Sequence, residues 1–144
     1  MANQPSPVRW RPTKFLRIDN EKMKCLIQGA NHMVFLLHSW VIVGDIDRHE
    51  EIIKKLIPHY KKIEELKSYR YFGHFAGQDL SPWGGRLEMF EFENYAALES
   101  FFKKSNQDKE GMSLLNEAMA YADRATVRFS LISERSRDLW LEPK

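Results

Sequence analysis

Val34–Val43 reads VFLLHSWVIV, and the rest of the chain is best understood outward from this stretch. It is rich in β-branched and aromatic side chains and contains no Gly or Pro, which is the pattern of a strand. Gly44-Asp45 then ends it. Alternation places Phe35, Leu37, Val41 and Val43 on one face and Val34, Leu36, Trp40 and Ile42 on the other. Both faces are apolar, so the strand is expected to be covered on both sides.

Downstream, Asp47 with Glu50 three residues on reads as the capping box of a helix. Ile53, Leu56, Tyr60, Ile63 and Lys67 form one stripe of that helix, with Ile57 beside it, and most of its charges lie off the stripe. Pro58 removes one of its backbone hydrogen bonds. Ser68 to Ala76 reads as a second strand, Gly77 to Gly85 as a turn, and Arg86 to Glu93 as a third strand. Asn94 is suited to cap a helix buried through Tyr95, Leu98, Phe101 and Phe102. A break over Ser105 to Gly111 precedes a second helical run from Met112 to Ala122. Ala125 to Glu134 is the last strand, with Val127, Phe129 and Leu131 alternating against Arg128 and Ser130.

Two strand–helix–strand halves joined by a hairpin predict an α+β, ferredoxin-like βαββαβ domain: a four-stranded antiparallel sheet with two helices on one face. The other face then needs a partner sheet, most simply from a second copy of the chain. Val34 and Leu36 are taken here as markers of that interface.

The stretches MVFLLHSWVIV, LIPHYKKIEELKSYRYFGHFAG and GGRLEMFEFENYAALESFF, in that order, resemble the dimeric α+β barrel superfamily. That superfamily includes antibiotic-biosynthesis monooxygenase-like, NIPSNAP-like and stress-responsive barrel proteins. The resemblance runs over residues 33–135 and is one of layout, with no signature motif. It implies a homodimer that binds a small organic molecule in a cavity between sheet and helix. A cofactor-independent monooxygenase or isomerase is one alternative, and a non-catalytic interaction or scaffold protein is another; fold alone does not choose among them. No cofactor is expected. The resemblance also admits haem, but neither His59 nor His74 matches a haem-ligand position.

Four residues stand out as ligand-binding candidates: His38, Trp40, His74 and Arg128. His38 and Trp40 share a face of the first strand, Phe72 and His74 a face of the second, and Arg128 and Ser130 a face of the fourth. The first strand lies between the third and fourth in this topology, which brings His38 near Glu88 or Glu91 and near Arg128. A histidine between a carboxylate and an arginine can hold an anionic or enolisable ligand or move a proton. The competing reading is a hydrogen-bonded structural network. The Trp83-Gly84-Gly85 turn offers a lid or, more simply, a hairpin with a packed tryptophan. Its glycines do not open a helix, so they form no phosphate loop. Metal-ligand spacing and nucleophile motifs are absent from the sequence.

Composition sets the outer bounds. The 144 residues suit one domain and carry a formal charge of +2. Residues 1–32 hold six Lys/Arg against two acids, and the remaining 112 hold sixteen against eighteen, so the body is near neutral and the leading segment is basic. That segment, interleaving Arg9, Trp10, Arg11, Lys14, Phe15 and Arg17, is expected to be a partly disordered N-terminal extension, with Met33 an alternative native start. The domain is placed at 33–135 and a C-terminal tail at 136–144. Nucleic acid is not an expected partner, because the body adds no basic surplus to the extension. The single Cys25 forms no intrachain disulfide. No apolar run reaches the ~18 residues of a membrane span, and cytoplasm is the expected compartment.

Overall fold

The computed structural model describes residues 33–73 and 85–133. Four strands, β1 (Val34–Val41), β2 (Leu66–Gly73), β3 (Gly85–Phe92) and β4 (Arg128–Ser133), form one antiparallel sheet in the order β2-β3-β1-β4. Helix α1 (Ile46–Lys61) links β1 to β2; α2 (Tyr95–Gln107) and α3 (Lys109–Met119) link β3 to β4. This is the βαββαβ, ferredoxin-like arrangement expected from the sequence, with β1 paired between β3 and β4.

All three helices pack on one side of the sheet. Val34, Leu36 and Trp40 of β1 and Phe90 and Phe92 of β3 are buried there against Ile52, Ile53, Leu56 and Tyr60 of α1, Leu98, Phe101 and Phe102 of α2, and Leu115 and Ala118 of α3. Rings interlock at the centre: Phe90 meets Tyr60 edge-on at 5.3 Å between centroids, and Phe92 meets Phe101 at 5.1 Å. Val34 and Leu36 therefore lie beneath helices, which corrects their use as interface markers. The face without helices carries Phe35, Leu37, Leu87, Met89, Phe72 and Ile132, half-buried or exposed in the single chain.

Several boundaries also move. Gly44, at φ 106°, turns the chain out of β1, a backbone state that favours glycine. Asp45 follows in extended geometry and its Oδ1 accepts the Arg48 N–H at 2.9 Å, so Asp45 is the cap and Asp47 lies in the first turn. The helix stops at Lys61, and Lys67 belongs to β2. An irregularity between Leu66 and Ser68 shifts the β2 register, leaving Leu66, Tyr69 and Tyr71 packed on the core; simple alternation does not foresee such a bulge. Asp108 ends α2 and caps α3, three residues earlier than the helical period suggested. Residues 125–127 belong to or follow a 3-10 turn, Arg124–Thr126, before β4 begins. The expected strand residues 74–76 lie outside the described residues.

Candidate functional site

The helix-covered face of the sheet is apolar at one end and polar at the other. Moving along β1 from Val34 and Leu36, the same face presents His38 and then Trp40; along β3 from Phe92 and Phe90 it presents Glu88 and then Arg86. Antiparallel register sets His38 opposite Glu88 and Trp40 opposite Arg86, with Tyr71 of β2 on the far side of Glu88 and Phe129 of β4 beside His38. His38, Trp40, Arg86 and Glu88 are each at most 2% exposed. Burying ionisable groups is costly unless they are paired, so their partners define the site.

Glu88 is the common acceptor. Its Oε2 lies 2.9 Å from His38 Nδ1 and its Oε1 accepts the Tyr69 hydroxyl at 2.6 Å. A carboxylate accepting from His38 fixes the tautomer with the proton on Nδ1, which makes Nε2 the basic nitrogen. The His38 ring stacks on Phe129 at 4.3 Å with 3° between planes and leans on Trp40 at 4.6 Å. Its orientation is thus held by one hydrogen bond and two rings. Burial, with Glu88 adjacent, raises the Tyr69 hydroxyl far above its usual range, so it stays a donor.

A second group adjoins the first at the start of α1. Trp40 Nε1–H donates to His49 Nε2 at 3.1 Å, which places the His49 proton on Nδ1. Burial lowers His49 to about 4, so it is neutral near pH 7. Arg86 donates from Nε and Nη2 to Glu50 Oε1 at 3.1 and 2.9 Å, and from Nη1 to the Gly85 carbonyl at 3.0 Å. The Tyr71 hydroxyl is raised by burial against the opposing pull of Arg86. Among the described residues, His49 Nδ1 and Tyr71 Oη are buried without a hydrogen-bond partner.

Of the four residues singled out in the sequence, His38 and Trp40 come together here, and the expected proximity of His38 to Glu88 is realised. Glu91 faces the other side of the sheet, opposite Phe35, and pairs with Ser68. Arg128 is exposed; it aligns with Ser39, one residue out of phase with His38, and its guanidinium donates to the Ala125 and Val127 carbonyls. It leaves the site on strand parity. His74 and Trp83 lie outside the described residues. His59 sits elsewhere, with Nδ1 2.6 Å from Asp108 Oδ2 in a narrow crevice between the helices that admits about one water-sized guest. Sequence reading missed Tyr69, Tyr71, Arg86, His49 and Glu50. The i,i+2 step from Phe90 to Glu88 to Arg86 and the i,i+3 and i,i+4 steps from His49 to Ile52 and Ile53 carried the signal for two of them, Arg86 and His49.

No family model and no curated protein matches this chain. Solved structures do. SnoaB of Streptomyces nogalater, a cofactor-independent oxygenase, superposes with a TM-score of 0.55 at 8% identity, covering 73% of this chain and 95% of that one. A NIPSNAP family protein of Agrobacterium tumefaciens gives 0.57 at 12% identity, with 75% and 90% covered. A dimeric ferredoxin-like protein of unknown function from Jannaschia sp. CCS1 gives 0.53 at 14% identity, with 69% and 97% covered. At identities this low the likeness establishes architecture alone: the chain has a ferredoxin-like α+β fold, as these proteins do. No helix among the described residues is long and apolar enough to cross a membrane.

The neutral, buried His49 makes stability pH-dependent. Its native value of about 4 lies below the ordinary 6.5, so between them the unfolded chain binds a proton that the native chain does not. Stability is therefore expected to fall as pH drops from 6.5 towards 4, by up to about 3 kcal/mol, and this contribution levels off below. Denaturant titrations across that window should show a flatter profile in His49→Gln, which keeps an acceptor for Trp40 without titrating. An unchanged slope in the variant would assign the effect to other groups.

Proposed function

We propose that this chain is a homodimeric small-molecule-binding domain whose reactive centre is His38 of the His38–Glu88–Tyr69 group, acting as a general base on a weakly acidic organic substrate. The observation that carries the reading is a fully buried carboxylate with one oxygen on His38 and the other on Tyr69. A histidine oriented by a carboxylate through Nδ1 presents a basic Nε2, the usual arrangement for removing a proton from an O–H or activated C–H. The aromatic surround of Trp40, Phe129 and Tyr71 suits a planar substrate. Loss of a proton is also what a cofactor-independent reaction with dioxygen or an isomerisation needs first, and SnoaB, with the same fold, is a cofactor-independent oxygenase. A structural network is the second reading, favoured by the fact that Glu88 and His49 already satisfy His38 Nδ1 and Trp40 Nε1 from within the protein.

Hydrogen–deuterium exchange at the acidic carbon of an enolisable aryl ketone, followed by NMR in heavy water, separates the two. Base catalysis predicts exchange accelerated by the parent and lowered about 100-fold or more in Glu88→Gln, which preserves the shape but reverses the His38 tautomer. No acceleration by a folded parent over a range of such ketones supports the structural reading.

Self-association is supported by the helix-free face, where Phe35, Leu37, Leu87 and Met89 form an apolar surface edged by Phe72 and Ile132. The Jannaschia protein of the same fold is described as dimeric. Sedimentation at micromolar concentration is expected to give a species of twice the 17.1 kDa chain mass, with Leu37→Asp dissociating it. A folded parent monomer under those conditions would contradict the dimer.

A further inference from the structure

The polar end of the helix-covered face carries more donors than acceptors. Arg86 supplies a guanidinium, Tyr71 a hydroxyl kept protonated by burial, and His49 an Nδ1–H fixed by the Trp40 bond to its other nitrogen. Tyr71 Oη and His49 Nδ1 are buried and have no hydrogen-bond partner among the described residues. Arg86 is met by one carboxylate, and both bonds converge on the single oxygen Oε1 of Glu50, whereas arginine and carboxylate favour a two-oxygen fork. Glu50 is also the outermost member of the group. It is 36% exposed on the first turns of α1, while Arg86 is 2% exposed. Glu50 can turn to solvent without unpacking the core, and Arg86 cannot follow it.

Resting on the small-molecule reading above, we propose that the guest is a small organic acid whose carboxylate takes the place of Glu50 on Arg86. The exchange substitutes one carboxylate for another, so it adds no negative charge beside Glu88, the remaining acid facing this group. The incoming carboxylate gains two oxygens for the Arg86 fork and for the Tyr71 hydroxyl or the His49 N–H. It also anchors the molecule beside His38, since the directly opposed Arg86 and Trp40 are the next pair on this face of the sheet after Glu88 and His38. Glu50 thus acts as a built-in competitor that keeps Arg86 paired until an acid arrives.

Calorimetric titration of the full chain with benzoate, and with benzyl alcohol as a neutral counterpart, tests this. Benzoate is expected to bind the parent more tightly than benzyl alcohol. Glu50→Gln removes the competing charge and should tighten benzoate about tenfold or more, as expected for a freed charge-assisted contact. Adding Tyr71→Phe to Glu50→Gln should reverse part of that gain, and thermal melts confirm that each variant is folded. If benzoate binds no better than benzyl alcohol, or equally to parent and Glu50→Gln, the carboxylate inference is overturned while the small-molecule reading survives. If neither compound binds any folded variant, both fall.

Discussion

A carboxylate without exposed surface lies near the middle of the sheet, and the polar half of the core is arranged around it. Glu88 is fully buried; it is offered His38 Nδ1 on one oxygen and the Tyr69 hydroxyl on the other. Leaving a buried charge without such donors costs several kcal/mol. The constraint reaches outward from there. His38 must take one tautomer and one orientation, which Phe129 and Trp40 hold. Trp40 in turn needs an acceptor, and His49 supplies it by staying neutral. The apolar half, centred on Phe90, Phe92, Phe101 and Tyr60, supplies most of the hydrophobic burial, and the polar half spends some of that stability on position.

The same strands set the chemistry of both faces. In β1 and β3, even-numbered residues pack under the helices and odd-numbered ones line the bare face. One register therefore places Glu88 opposite His38 and, on the reverse, Leu87 opposite Ser39 and Met89 opposite Leu37. A slip of one residue would carry the ionisable cluster to the outside and Phe35 and Leu37 to the core. Site and proposed interface thus depend on a single pairing, and the four aromatic or aliphatic core residues at the other end of these strands keep it in place.

Much of the fold was legible because its signals are local. The unbroken apolar run of VFLLHSWVIV, the Asn94 cap and the period of α1 each read directly from neighbouring residues. The proximity of His38 to Glu88 followed from topology and parity together. What did not read was set by features that break simple periods. The bulge at Leu66/Ser68 rephases β2, so alternation from Leu66 does not put Tyr69 and Tyr71 on the core face, where Tyr69 meets Glu88. The turn at Arg124–Thr126 separates Val127 from the strand, and Arg128 drops out of the site because Ser39, and not His38, faces it. His49 was marked only by its helical spacing to Ile52 and Ile53, because a histidine is polar enough to suit the exposed face of the same helix. The choice of Val34 and Leu36 as surface markers failed for a related reason, since a strand apolar on both faces does not say which face the helices take.

Every role of the polar core depends on where two protons sit, and long-range proton–nitrogen correlation of the histidine side chains locates both. The account predicts His38 protonated at Nδ1, with Nε2 showing the shift of an unprotonated ring nitrogen. It predicts His49 neutral at pH 7, also protonated at Nδ1, with its Nε2 coupled to the Trp40 indole proton. His38 carrying its proton on Nε2 alone would contradict Glu88 as the group that orients it, and the account of the site would not stand.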